Sequence, residues 1–132
     1  MLSIFPGLLV YSLAAPFILR LAAGTLFLLW AGRSLGAEKH ALRARFNEMN
    51  LPGKEVLLAF TVTEVVVGSL LLVGLYTQVA ALIGLLLAAK LAFLSRKEPF
   101  GSANTTVYIL VALISLSLAL TGPGFFAFDL PL

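Results

Sequence analysis

Polar and apolar positions in this chain are sorted by whole segments. Residues 12–35, 55–76 and 77–94 are apolar almost throughout, and 103–120 is apolar apart from a polar stripe of Asn104, Tyr108 and Ser115. Each segment approaches the roughly 20 residues that a helix needs to cross the hydrocarbon core of a bilayer. Between the first two lies Ala37–Met49, AEKHALRARFNEM, the most charged part of the chain. There Leu35, Leu42, Phe46 and Met49 recur at helical spacing against a basic face, the pattern of a short amphipathic helix lying on a membrane surface. Asn50-Leu51-Pro52-Gly53, Ser95–Gly101 and Thr121-Gly122-Pro123-Gly124 punctuate the segments as turns. The pattern therefore predicts an all-α fold: one domain, a four-transmembrane-helix bundle with a short amphipathic interfacial helix between spans 1 and 2. Met1–Tyr11 is apolar but too short to span.

Composition supports lipid as the solvent. The chain has 132 residues, of which 61% are hydrophobic and 11% charged, with mean hydropathy +1.06; a soluble domain carries about 25% charged residues. It has no cysteine and a single histidine, His40. Disulfides, thiolate metal sites and thiol chemistry are thereby excluded, and the His, Asp and Glu spacings predict no metal site. The net charge of +3 sits in loops beside apolar segments, so nucleic acid is not an expected partner. The first charge is Arg20, which is unlike the basic start of a secretory signal.

Loop charge predicts orientation. Arg33, Lys39, Arg43, Arg45 and Lys54 fall around the first connection, and Arg96 and Lys97 in the third, while the second connection and both tails carry no Lys or Arg. The positive-inside rule then places loops 36–54 and 95–101 in the cytoplasm and both termini outside. The basic face of Ala37–Met49 is expected to meet anionic lipid head groups.

The polar exceptions within the spans are the candidate chemistry. Glu64 has no other charge from Val65 to Ala89, and Arg20 is the only charge in the first 32 residues. Ionisable groups inside a membrane are costly and seek partners. Arg20 and Glu64, with Asp129 of the aromatic tail as a third member, form the candidate ion-pair cluster. It reads either as a structural lock between spans 1 and 2, as a pocket for a polar head group, or as a proton-coupled site at Glu64. Asn104, Tyr108 and Ser115 are candidate cavity-lining residues, or else interhelical hydrogen-bond groups. Ala80, Gly84 and Ala88 form a face of small residues for close packing. Trp30 and Tyr76 are expected at the membrane interface. No residue is assigned a catalytic role.

Four fragments together resemble the DoxX family of small four-helix membrane proteins. They are LRLAAGTLFLLWAG (Leu19–Gly32), with its opening Arg; Phe46 followed by the Leu51-Pro52 turn; TEVVVGSLLLVGLYTQVAAL (Thr63–Leu82), with Gly four and ten residues after Glu64; and GPGFFAFD (Gly122–Asp129). The likeness covers about residues 19–129. It departs where the family usually ends its first span with Gly-x-x-Lys, because this chain has Gly32-Arg33-Ser34-Leu35. The resemblance implies a four-helix bundle in the cytoplasmic (inner) membrane, serving as an accessory subunit of a membrane-associated redox system linked to quinones or sulfur compounds. It also implies a quinone as the cofactor to look for and a soluble oxidoreductase as the partner. From the residues alone, a small proton-coupled exporter using Glu64 and a structural or lipid-organising protein remain open.

Overall fold

The computed structural model describes residues 12, 14–96, 104–122 and 124. It contains five helices among these: α1 (Ala14–Leu35), α2 (Lys39–Glu48), α3 (Gly53–Val73), α4 (Thr77–Leu94) and α5 (Thr105–Thr121). No strand occurs among the described residues. The expectations for Met1–Tyr11, for most of the Ser95–Gly101 turn and for Asp129 lie outside them.

Helix ends differ from the sequence reading by a few residues, each for a local reason. α3 starts at Gly53, two residues earlier than expected, because Asn47 Oδ1 accepts the Gly53 N–H at 3.0 Å. A Cβ at residue 53 would come within 2.5 Å of Asn47 Oδ1 and of the Arg43 carbonyl oxygen, so this clasp of α2 onto α3 requires glycine. α3 stops at Val73 and does not reach Tyr76. Gly74 takes a left-handed φ of 80°, and the N–H groups of Gly74 and Leu75 both return to the Leu70 carbonyl, at 2.8 and 3.1 Å. That is the glycine-capped end that closes off orphan carbonyls. Tyr76, also left-handed with φ 47°, turns the chain into α4 and is exposed.

α1 packs chiefly on α3 and α4 on α5. Smaller α3–α4 and α1–α5 contacts close the ring, and α2 lies mainly against α3. α5 runs the whole length of α4. At one end the Thr105 hydroxyl donates to the Ser95 carbonyl at 3.0 Å, and at the other Gly122 lies beside Gln78.

The core consists of Ala23, Phe27, Val67, Leu71, Ala80, Ala81, Ala88, Val111 and Leu118, all essentially inaccessible. The small-residue face of α4 serves as expected: Gly84 lets the Phe27 ring and Val67 approach to 3.1 and 3.3 Å of where a Cβ would sit. Trp30 is placed differently from the interface position expected of it. It is 5% exposed, edge-on to Phe27 at 5.4 Å and tilted on Tyr108 at 4.9 Å. Aromatic rings gain from such packing beyond their buried area, and this site offers three together. Of the stripe expected to seat α2, Leu42 and Phe46 are buried, with Phe46 near Phe60, whereas Leu35 and Met49, at its two ends, are exposed.

The outer surface is apolar. Ile18, Leu58, Val62, Leu86, Phe93 and Leu120 are more than half exposed, far more apolar surface than a soluble monomer shows. Three helices, α1, α3 and α4, are long and apolar enough to cross a membrane, and α5, with 17 residues, is a shorter apolar helix.

Candidate functional site

α1 and α3 approach closely at two glycines. A Cβ on Gly24 would lie 3.0 Å from the Gly68 carbonyl oxygen, and a Cβ on Gly68 would lie 3.0 Å from that of Gly24. α1 and α3 therefore cross backbone to backbone at this point, as small residues allow in apolar surroundings. This contact fixes the level of every polar group on the two helices.

Arg20 and Glu64 are both buried, each only 1% exposed. Arg20 precedes Gly24 by four residues and Glu64 precedes Gly68 by four. The helices are antiparallel, so the two residues lie on opposite sides of the crossing, about 12 Å apart along the axis at 1.5 Å per residue. Helical side chains also lean towards their own N-terminus, so these two lean away from each other. The geometry thus separates the pair that the sequence put first. Arg20 sits with its guanidinium carbon 5.3 Å from the centre of the Phe17 ring, a cation–π contact.

Glu64 points towards the α1–α2 turn. Ser34, in the last turn of α1 and buried, is its hydrogen-bond partner, the hydroxyl donating to the carboxylate, and Glu38 in the turn brings a second acid within electrostatic range. Oε2 of Glu64 is buried and has no hydrogen-bond partner among the described residues. One turn away, the Thr61 hydroxyl is satisfied by the Leu57 carbonyl at 2.9 Å. The site is thus a carboxyl group on the apolar α1–α3 seam, held by one hydroxyl, with an acceptor oxygen left over.

Ser34 was not singled out from the sequence, although a signal was present. Arg20, Gly24, Phe27 and Ala31 share one side of α1, and Ser34 continues that side by one more turn.

The polar stripe of α5 divides. Tyr108 and Ser115 are buried and Asn104 is exposed. Asn104 occupies the N-cap of α5 without a capping side-chain bond, at the end of the bundle and away from its interior. Ser115 Oγ has no hydrogen-bond partner among the described residues. Tyr108 packs its ring against Trp30. Asp129 lies outside the described residues. Among the described residues no three His, Asp or Glu side chains are grouped as they would be to hold a metal ion.

A second polar feature lies at the end of the same seam. Lys39 and Arg43 of α2 and Lys54 of α3 line a cavity of about 170 Å3 together with Leu35, Leu57 and Leu58. Comparison of the chain with protein-family models, with curated proteins and with solved structures returned no match.

Proposed function

We propose that this chain is a four-span protein of the cytoplasmic membrane, similar in plan to the DoxX family. In this reading it serves as an accessory subunit in a quinone- or sulfur-linked redox system, with Glu64 as the hydrogen-bonding group offered to a small polar ligand. The observation that carries the reading is the buried Glu64 Oε2 with no partner among the described residues. A buried polar atom left unsatisfied costs about 1–3 kcal/mol, and a ligand hydroxyl or carbonyl entering beside Ser34 would recover that, as donor to the carboxylate or acceptor from the carboxylic acid. Support for α5 as the fourth span is its alignment with α4 from Ser95 to Gln78; its 17 residues give about 25 Å of helix. In this topology α2 lies on the cytoplasmic surface, where a soluble oxidoreductase would dock, and the α3–α4 turn faces outside.

The test is extraction of bound quinone from the purified protein. Wild type retains quinone, Glu64→Leu loses it, and Glu64→Gln, which still offers donor and acceptor, keeps it. Absence of quinone from wild type purified out of quinone-replete membranes overturns the redox reading.

One observation favours a second reading, a proton-coupled exporter: the described groups acting on Glu64 are a hydroxyl and another acid, with no cation among them. Uptake of a cationic dye into proteoliposomes, driven by a pH gradient and abolished by Glu64→Gln, would establish it.

A further inference from the structure

The cavity at the foot of the α1–α3 seam combines two kinds of surface that a single ligand class matches. Lys39 and Arg43 are four residues apart on α2 and therefore share a face. Lys54, in the first turn of α3, is brought to the same cavity by the Asn47–Gly53 clasp. Three cations thus converge on about 170 Å3, and no acidic residue lines it. Like charges brought together repel, and an anion between them would relieve that repulsion. The remaining walls are leucine. Leu57 is buried as the floor, while Leu35 and Leu58 are 52% and 58% exposed and continue into the apolar outer surface of α1 and α3. The cavity therefore sits where the polar helix α2 meets the apolar spans.

We infer that Lys39, Arg43 and Lys54, over Leu35, Leu57 and Leu58, form a binding site for one anionic phospholipid. Its phosphate lies among the three cations, and the start of an acyl chain lies along the leucines. A free phosphate would leave the leucine walls unused, and a zwitterionic lipid would bring its own cation into an already cationic notch. The neighbouring acids, Glu38 before Lys39 and Glu55 after Lys54, are both outside the lining. The site differs from a diffuse attraction of α2 to a charged surface because it takes a residue from α3, has a floor and holds a countable ligand. The inference rests on the membrane reading above.

The experiment is native mass spectrometry of the detergent-solubilised full chain, titrated with dioleoylphosphatidylglycerol or dioleoylphosphatidylcholine. The expected result is a single retained phosphatidylglycerol, preferred over phosphatidylcholine by about tenfold or more, given what each basic residue contributes at an anionic surface. Lys39→Gln/Arg43→Gln/Lys54→Gln should abolish the preference. Lys90→Gln/Arg96→Gln, which removes the same kind of charge elsewhere, should leave it intact. All five side chains are exposed, and such substitutions change stability little. Equal binding of the two lipids, loss of the preference in the Lys90/Arg96 variant, or its survival in the triple variant would overturn the proposal. Displacement of phosphatidylglycerol by millimolar inorganic phosphate would overturn it in favour of a soluble anion. A chain recovered outside the membrane fraction would overturn both this and the membrane reading, whereas a membrane-embedded chain indifferent to head-group charge would overturn this inference alone.

Discussion

Replacing Gly24 or Gly68 by alanine tests whether the α1–α3 crossing organises the bundle. At Gly24 the added Cβ would stand 2.9 Å from Leu72 Cγ and 3.0 Å from the Gly68 carbonyl oxygen; at Gly68 it would stand 2.9 Å from Leu28 Cγ and 3.0 Å from the Gly24 carbonyl oxygen. The leucine tips can turn aside, but the carbonyl belongs to the backbone of the opposing helix and moves only if the helices separate. Such overpacking costs about 1–3 kcal/mol, and alanine returns up to about 1 kcal/mol through better helix propensity. A net loss of about 1–2 kcal/mol is expected for each substitution. Gly32 provides the control: nothing lies within 4 Å of its added Cβ, so Gly32→Ala should be neutral or stabilising. Gly84→Ala should fall between, because the atoms it meets, at 3.1 and 3.3 Å, are the Phe27 ring and Val67 Cγ1, both side chains. The double variant Gly24→Ala/Gly68→Ala should cost clearly less than the sum of its parts, because one separation of the helices relieves both clashes.

The chain supplies its own probe for this series, since Trp30 is the only tryptophan and is buried between Phe27 and Tyr108. Its fluorescence, followed as SDS is titrated into the protein in mild detergent micelles, reports loss of the core. Gly24→Ala should unfold at a lower SDS fraction than Gly32→Ala, by an amount corresponding to about 2 kcal/mol. If the two variants unfold together, the backbone contact is not what holds α1 against α3.

The other predictions concern the polar groups. Arg20→Gln and Glu64→Gln should be additive in the same assay to within about 0.5 kcal/mol, as expected for sites this far apart; a coupling of several kcal/mol would restore the direct ion pair. Ser115→Ala should be neutral or mildly stabilising, because it removes a buried hydroxyl with no hydrogen-bond partner among the described residues. Asn47→Ala removes the acceptor for the Gly53 N–H and should lower stability by about 0.5–2 kcal/mol, the range for losing a helix-start cap. In a chain without cysteine, His40→Cys and Asn104→Cys should react with a membrane-impermeant maleimide only after cells are permeabilised, and Gln78→Cys and Thr121→Cys should react without it; labelling of Thr121→Cys on the Asn104 side would remove α5 as a span.

The fold was legible from the sequence wherever a rule depends on one helix alone. Segment length and apolar content located the helices, and turn chemistry placed their ends to within a few residues. The shifts at the two ends of α3 have local causes: the Asn47 side chain capping Gly53, and the left-handed Gly74 stopping the helix. Trp30 was misplaced because interface preference is a property of the residue type, whereas its burial depends on Tyr108 of α5 arriving beside it. Asn104 was read as part of an inward stripe because its angular position is right, but it occupies the cap, one step beyond the last turn that packs. The Lys39, Arg43 and Lys54 cavity was legible only as charge. The leucines that give it a floor become neighbours through the turn between α2 and α3.

The separation of Arg20 from Glu64 follows from the same feature that first made them look like partners. Each charge precedes, by four residues, a glycine on the same helix face. In parallel helices, glycine against glycine would set the two charges at one level. In antiparallel helices the same pairing acts as a local two-fold axis, and it sends the charges to opposite sides. The chain direction is fixed by the short α2 connection, so the repeated charge-x-x-x-Gly spacing is a reason for the two groups to lie apart. Each then needs its own surroundings. Arg20 finds an aromatic ring in Phe17. Glu64 finds one hydroxyl in Ser34 and keeps an oxygen over. A carboxyl group matched to a guanidinium would be a finished structural element. One matched to a single hydroxyl, on a seam that ends at a cationic cavity, is still able to bind something, and this asymmetry makes Glu64 the residue on which functional experiments should concentrate.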